Sequence, residues 1–157
     1  MARIYLETSF VSACVTDRQD VASAYRRDES LQWWRSEAAR HALFVSAEVL
    51  AELSAPGHRR SLEAVEWIRG IPLLPIGPDE VGLAKLFVNE RVMPGPVGGD
   101  ALHVAVACWH RCEHLLSWNV KHLANPNKSK HLAVLCMRMG LPAPSIVTPE
   151  SLWEGGA

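Results

Sequence analysis

The sequence predicts a three-layer α/β fold, a short parallel sheet covered by helices on both faces. Two observations carry that prediction. Short apolar runs alternate with longer stretches of helical periodicity, as in chains that wind a parallel sheet. The runs are apolar throughout rather than apolar at every second position, as expected of strands buried on both faces. Composition agrees, since 48% of the 157 residues are hydrophobic and 21% charged, which is core material for one domain over residues 1–157 and excludes a disordered chain.

Arg3–Leu6 (RIYL) is the first β-prone run, and Thr8 or Ser9 after it suits a helix cap. Helix is expected from about Asp20 to His41, with a break near Arg27-Asp28, because Leu31, Trp34 and Ala38 recur at helical spacing. Ala42–Val45 is a second strand, and Ser46 caps a helix to Leu53 that Pro56-Gly57 stops. A further helix runs from about His58 to Arg69, with Leu62, Val65 and Ile68 on one face. Ile71–Ile76 carries two prolines, so it is a short or edge strand. Gly77-Pro78-Asp79 starts a helix through Glu90, and Met93–Gly99 is the clearest loop. Ala101–Trp109 is a buried helix opened by Asp100. Strand Leu115–Trp118, helix Lys128–Met139 and strand Ser145–Val147 complete the order.

Charge and cysteine content narrow the function classes. Lys plus Arg total 16 against 17 for Asp plus Glu, so the chain lacks the basic surplus of a non-specific nucleic-acid coat. No run is long and apolar enough to cross a bilayer, and Glu7 interrupts the apolar stretch from Ile4 that a signal peptide would need. The four cysteines, Cys14, Cys108, Cys112 and Cys136, do not form a disulfide framework. Cys108, His110, Cys112 and His114 do not suit zinc either, because structural sites draw ligand pairs from knuckles rather than four ligands from one buried helix. The expectation is a cytoplasmic protein with reduced thiols and no membrane contact.

Ligand sites in open α/β sheets lie beyond the carboxyl ends of the strands. Glu7 and Asn119 fall at such ends, on one rim if the strands are parallel, and Glu52 and Asp100 can lean in from neighbouring helices. Clustered carboxylates repel, so such a pocket persists by taking up divalent cations or protons. Each residue also has a plainer role. Asp100 after Gly98-Gly99 suits a helix cap, Glu52 pairs with Glu48 on a solvated face, Glu7 complements a helix dipole, and Asn119 fits a turn. Ser9 is a cap or a group that hydrogen-bonds a metal ligand or phosphate. His103, three residues after Asp100, contacts substrate, supports Asp100 or fills a packed face. Trp118 stacks an unpaired base or packs in the core. Trp33-Trp34 serves packing or an interface, one ring buried and the other exposed. Arg26, Arg27, Arg59, Arg60, Lys128 and Lys130 are available to guide an anionic ligand, with Lys121 placed best, beside Asn119.

The order YLETS (Tyr5–Ser9), SAEVLAEL (Ser46–Leu53), DALHVAVA (Asp100–Ala107), LLSWNVKHLAN (Leu115–Asn125) and SIVTPESL (Ser145–Leu152) resembles the PIN-domain family, and most of all its VapC-type toxins of bacterial toxin–antitoxin pairs. The resemblance implies a three-layer PIN-like fold and a Mg²⁺- or Mn²⁺-dependent endoribonuclease. It puts the family's four acidic positions on Glu7, Glu52, Asp100 and Asn119; with that chemistry, Glu7, Asp100 and Glu52 are the expected metal ligands, and Ser9, His103, Trp118 and Lys121 are the residues expected against substrate. Asn119 replaces the usual Asp, leaving three formal negative charges. The implied partners are RNA, a small cognate antitoxin and a second copy of the chain. Two other functions fit the residues: a catalytically weak or inactive module that binds RNA or a protein, and a small-molecule hydrolase with Glu7 as nucleophile.

Overall fold

The computed structural model describes residues 1–119 and 126–153. Five parallel strands form one sheet: β1 (Arg3–Leu6), β2 (Ala42–Ser46), β3 (Leu73–Leu74), β4 (His114–Leu116) and β5 (Ser145–Val147), in the order β3-β2-β1-β4-β5. Consecutive strand residues point to opposite faces, yet Ile4, Tyr5 and Leu6 are all buried, as are Leu115 and Leu116. Both faces of the sheet are therefore covered, which is the α/β arrangement expected from continuous apolar runs. The β3 strand is short and lies at the edge, as its two flanking prolines require. Among the described residues, no helix is long and apolar enough to cross a membrane.

Helices fill the connections: α1 (Thr8–Val15), α2 (Val21–Ser36), α3 (Ala47–Leu53), α4 (Ser61–Trp67), α5 (Pro78–Asn89), α6 (Leu102–Trp109) and α7 (Pro126–Arg138). Three local readings need correction. The cap of α1 is Glu7, whose side chain accepts from Ser9 N, rather than Thr8 or Ser9. The α2 helix is unbroken at Arg27-Asp28, because those charges sit on a face that stays wet while Ser30 and Trp33 pack inward, and a short 3₁₀ turn, Ala38–Arg40, follows it. Strand β4 stops at Leu116, so Ser117, Trp118 and Asn119 turn off the sheet edge. Trp33 is buried as expected, whereas Trp34 is half-buried against Trp67 rather than exposed.

The start of α5 is fastened to the end of α6 through a buried acid. Glu80 Oε1 accepts from Gly77 N at 3.0 Å, and its Oε2 lies 2.7 Å from His110 Nε2. Burial alone would raise the Glu80 pKa, but the backbone hydrogen bonds and His110 outweigh it and lower it. A depressed folded pKa stabilises above the unfolded value and is lost as pH falls through the folded one. Glu80→Gln should cost about 2 kcal/mol at pH 7, and the cost should shrink in acid. Urea unfolding at stepped pH reads this, and a cost that stays constant into acid would show that the charge plays no part.

Candidate metal and phosphodiester site

The strand order reverses between β1 and β4: the chain moves outward from β1 through β2 to β3, then crosses to the other side of β1. Ligands of open α/β sheets bind at that switch point, beyond the carboxyl ends. Glu7 leaves β1 there and Ser117–Asn119 leave β4 there, locked together by Glu7 N donating to Leu116 O at 3.0 Å. A cleft of about 540 Å³ opens at this point and is lined by Glu7, Glu52, Asp100, Trp118 and Asn119.

Each carboxylate is held by one oxygen. Glu7, only 5% exposed, accepts at Oε2 from Ser9 N (2.8 Å), Ser117 Oγ (2.9 Å) and Ser9 Oγ. Its Oε1 takes no hydrogen bond from a described residue. Glu52 accepts at Oε1 from Thr8 Oγ1 (2.6 Å) and from His103 Nε2, leaving Oε2 open in the same sense. Asp100 accepts at Oδ1 from Asn119 Nδ2 (3.0 Å) and makes no capping bond to its own helix. A kinked turn, Val97–Ala101, delivers it into the cleft, and Gly99 at φ +84° supplies a backbone conformation that a side chain would strain.

Behind Glu52 runs a buried polar chain. His103 is 0% exposed, with Nδ1 2.6 Å from the Tyr5 hydroxyl, which lies 2.8 Å from Ser46 Oγ. Burial alone would lower the His103 pKa, but the hydrogen bond to Glu52 and the charges of Glu7, Glu52 and Glu48 overcome it and raise it. Burial likewise pulls Glu52 up, while the His103 hydrogen bond and charge and the Thr8 bond bring it below the ordinary value. The ring is thus bonded at both nitrogens, Nε2 to Glu52 and Nδ1 to the Tyr5 hydroxyl, and the acidic surroundings favour its charged form. Burial holds the Tyr5 phenol well above its usual pKa, so it stays neutral, hydrogen-bonded to both His103 and Ser46 Oγ.

The structure brings Glu7, Glu52, Asp100 and Asn119 to one cleft. Trp118 lines it too, its Nε1 donating to Ser30 Oγ at 2.8 Å and its ring flanked by Tyr25 and Arg26. His103 does not reach the cleft surface, and its partners are Glu52 and Tyr5 rather than substrate or Asp100. Ser9 lines the cleft but gives its hydroxyl proton to Glu7 while accepting from Trp118 N at 2.9 Å. Lys121 lies outside the described residues. Tyr5 and Ser117 escaped the sequence reading, and Thr8 and Ser46 were read only as helix caps, whereas their hydroxyls bond Glu52 and Tyr5. Arg18, also on the cleft, had no motif to mark it.

The donor set suits a hard cation. Ligand atoms of Glu7, Glu52 and His103, two of them buried and Glu52 half-exposed, lie within 4.8 Å of one another, close enough to share a metal ion. Because His103 Nε2 is engaged with Glu52, the open donors are carboxylate oxygens, which Mg²⁺ and Mn²⁺ prefer.

No protein-family model matches the chain, and no curated protein matches it. Solved structures that share its fold include VapBC2 and FitAcB. VapBC2 from Rickettsia felis, bound to a DNA fragment from their promoter, aligns with TM-score 0.58 and 13% identity over 93% of this chain and 98% of that one. FitAcB from Neisseria gonorrhoeae aligns with TM-score 0.54 and 13% identity over 95% and 99%. These findings overturn the assignment to the PIN-domain family and its VapC-like toxins. No family model supports it, the neighbours are described as VapBC2 and FitAcB rather than as such a toxin, and 13% identity carries the fold alone.

Proposed function

We propose that this protein is a Mg²⁺- or Mn²⁺-dependent endoribonuclease that hydrolyses RNA phosphodiester bonds in the cleft at the β1–β4 switch point. One observation supports it above others: three carboxylates from separate elements reach one cleft, each fixed by protein donors at one oxygen and open at the other. Glu7, Glu52 and Asp100 would hold the cation. A divalent ion in such a site lowers the pKa of a water and neutralises charge on the phosphoryl oxygens. Glu7 also ties the β1 and β4 ends together through Ser117. Thr8 and His103 fix the rotamer of Glu52, and Asn119 orients Asp100 without adding charge. Trp118 offers an aromatic surface at the cleft to an unpaired base.

A protein partner and pairing with a second copy belong to the same reading. The first is supported by VapBC2, which shares this fold and whose components bind a DNA fragment from their own promoter. One feature favours a second reading, a binding module without turnover: Asn119 occupies one oxygen of Asp100 and leaves three formal charges at the cleft.

Cleavage of a mixed RNA pool, with and without Mn²⁺, beside Asp100→Asn purified identically, tests the proposal. Metal-dependent cleavage reduced by more than about 100-fold in the variant is expected, beyond the 10–100-fold that loss of a supporting contact costs. Equal cleavage by both preparations would sink it, and metal binding without turnover would move the assignment to the module.

A further inference from the structure

The cleft continues away from the carboxylates along α1. Thr8, Ser12 and Thr16 recur at i, i+4 and i+8, so a line of hydroxyls follows one face of the helix to its C-cap. At 1.5 Å per residue it spans about 12 Å. Thr8 is spent on Glu52, Ser12 Oγ lies 2.9 Å from His58 Nε2, and Thr16 closes the turn that carries Arg18. The opposite wall is the α3–α4 connection, His58-Arg59-Arg60, and all of these residues line the same cleft. One end of the cleft is therefore acidic and the other cationic, although the chain as a whole is near neutral.

Asp17 occupies the cationic arm. Its Oδ1 takes Arg59 Nε at 2.6 Å and its Oδ2 lies 3.8 Å from Arg60 Nη1, while Glu63 stands 3.7 Å from Arg60 Nη2. The Asp17–Arg59 pair is solvent-exposed, and such pairs contribute only about 0–1 kcal/mol to stability. It is cheap to break, and a fork of two guanidiniums on one oxyanion is also how phosphate is held.

We propose that the arm lined by Ser12, Thr16, Arg18, His58, Arg59 and Arg60 binds the phosphodiester backbone of a single-stranded polynucleotide, the phosphate displacing Asp17 from Arg59 and Arg60. The identity of this ligand rests on the phosphodiesterase reading. The strand then runs from the carboxylates along α1. Its rise per nucleotide in a stacked duplex is about 3.4 Å, so the 12 Å line accommodates more than one phosphate beyond the cut bond. The arm favours a chain over a dinucleotide and cleavage within a strand over removal of a terminal nucleotide.

Fluorescence anisotropy of dye-labelled oligouridylates of increasing length, in EDTA and over a range of KCl, reads the arm without turnover. The double variant Arg59→Ala/Arg60→Ala should bind the longer oligomers about tenfold more weakly and lower the salt slope by about 1.4, two contacts at about 0.7 each on a single strand. Asp17→Asn should bind them more tightly, while Glu90→Gln, the same charge change on the exposed end of α5, should not. Wild-type affinity in the double variant overturns the proposal, as does equal tightening by Asp17→Asn and Glu90→Gln, which would reduce the effect to net charge. A protein that binds by these rules yet cleaves nothing keeps the arm and sinks the nuclease reading. A nuclease indifferent to both arginines does the reverse.

Discussion

Glu7→Gln is expected to remove metal-dependent cleavage by more than about 100-fold, exceeding what loss of an orienting contact costs, and to abolish the thermal stabilisation by Mn²⁺. The argument is geometric. Glu7 Oε2 receives three donors, Ser9 N, Ser9 Oγ and Ser117 Oγ, so an acceptor is required at that position. An amide that keeps its oxygen there turns its NH₂ toward the cation, a donor where a ligand is needed. The flipped amide sets its NH₂ against the Ser9 backbone N–H, a clash of two donors. Neither orientation serves both oxygens. A ligand present at 100 times its Kd stabilises by about 2.7 kcal/mol, readily seen as a Tm shift in the wild type. A variant that keeps both its Mn²⁺ shift and its cleavage would remove Glu7 from the site.

Much of this arrangement is legible in the chain because backbone order sets it. Apolar runs at Arg3–Leu6 and Leu115–Leu116 make parallel strands, and parallel strands put the residues that follow them, Glu7 and Asn119, on one rim. Glycine before Asp100 marks a turn whatever its partner. What could not be read is how the polar atoms pair. Thr8 with Glu52 and Ser117 with Glu7 join residues 44 and 110 positions apart, and no local spacing encodes such a match. Periodicity places His103 on a buried face but leaves its ring direction undetermined, and that direction gives it to Glu52 rather than Asp100. The supposed break at Arg27-Asp28 failed for a related reason: two adjacent charges on a wet helix face cost little, and Asp20 capping Ser23 N with Trp33 anchored below keeps α2 whole. A family likeness built on short runs also exceeded what those runs contain. They encode strand ends and acidic positions, and chains sharing only 13% identity with this one adopt the same fold.

His103→Phe should lower Mn²⁺ affinity by about 10–100-fold, the range for groups that orient a ligand from behind, with His103 never touching the ion. Phenylalanine fills the space but removes the donor to Glu52 and a partner of Tyr5, both in the buried chain that ends at Ser46. An unsatisfied buried group costs about 1–3 kcal/mol, so stability should fall as well. A purely structural role would stop there, and two readouts go further. His103→Gln retains an N–H that can reach Glu52, and should restore part of the metal affinity that Phe loses. The stability difference between wild type and His103→Phe should also depend on pH. The raised His103 pKa gives stability that is fully present below the unfolded value, about 6.5, and lost as pH rises through the folded one. The lowered Glu52 pKa gives stability present above the unfolded value, about 4.3, and lost as pH falls through the folded one. Both contributions are complete only between those unfolded values, so the difference should peak there in metal-free protein and decline on either side. A difference that stays flat from acid to alkali would mean a ring that is neutral throughout, holding Glu52 by the Nε2–H of its neutral tautomer rather than by charge.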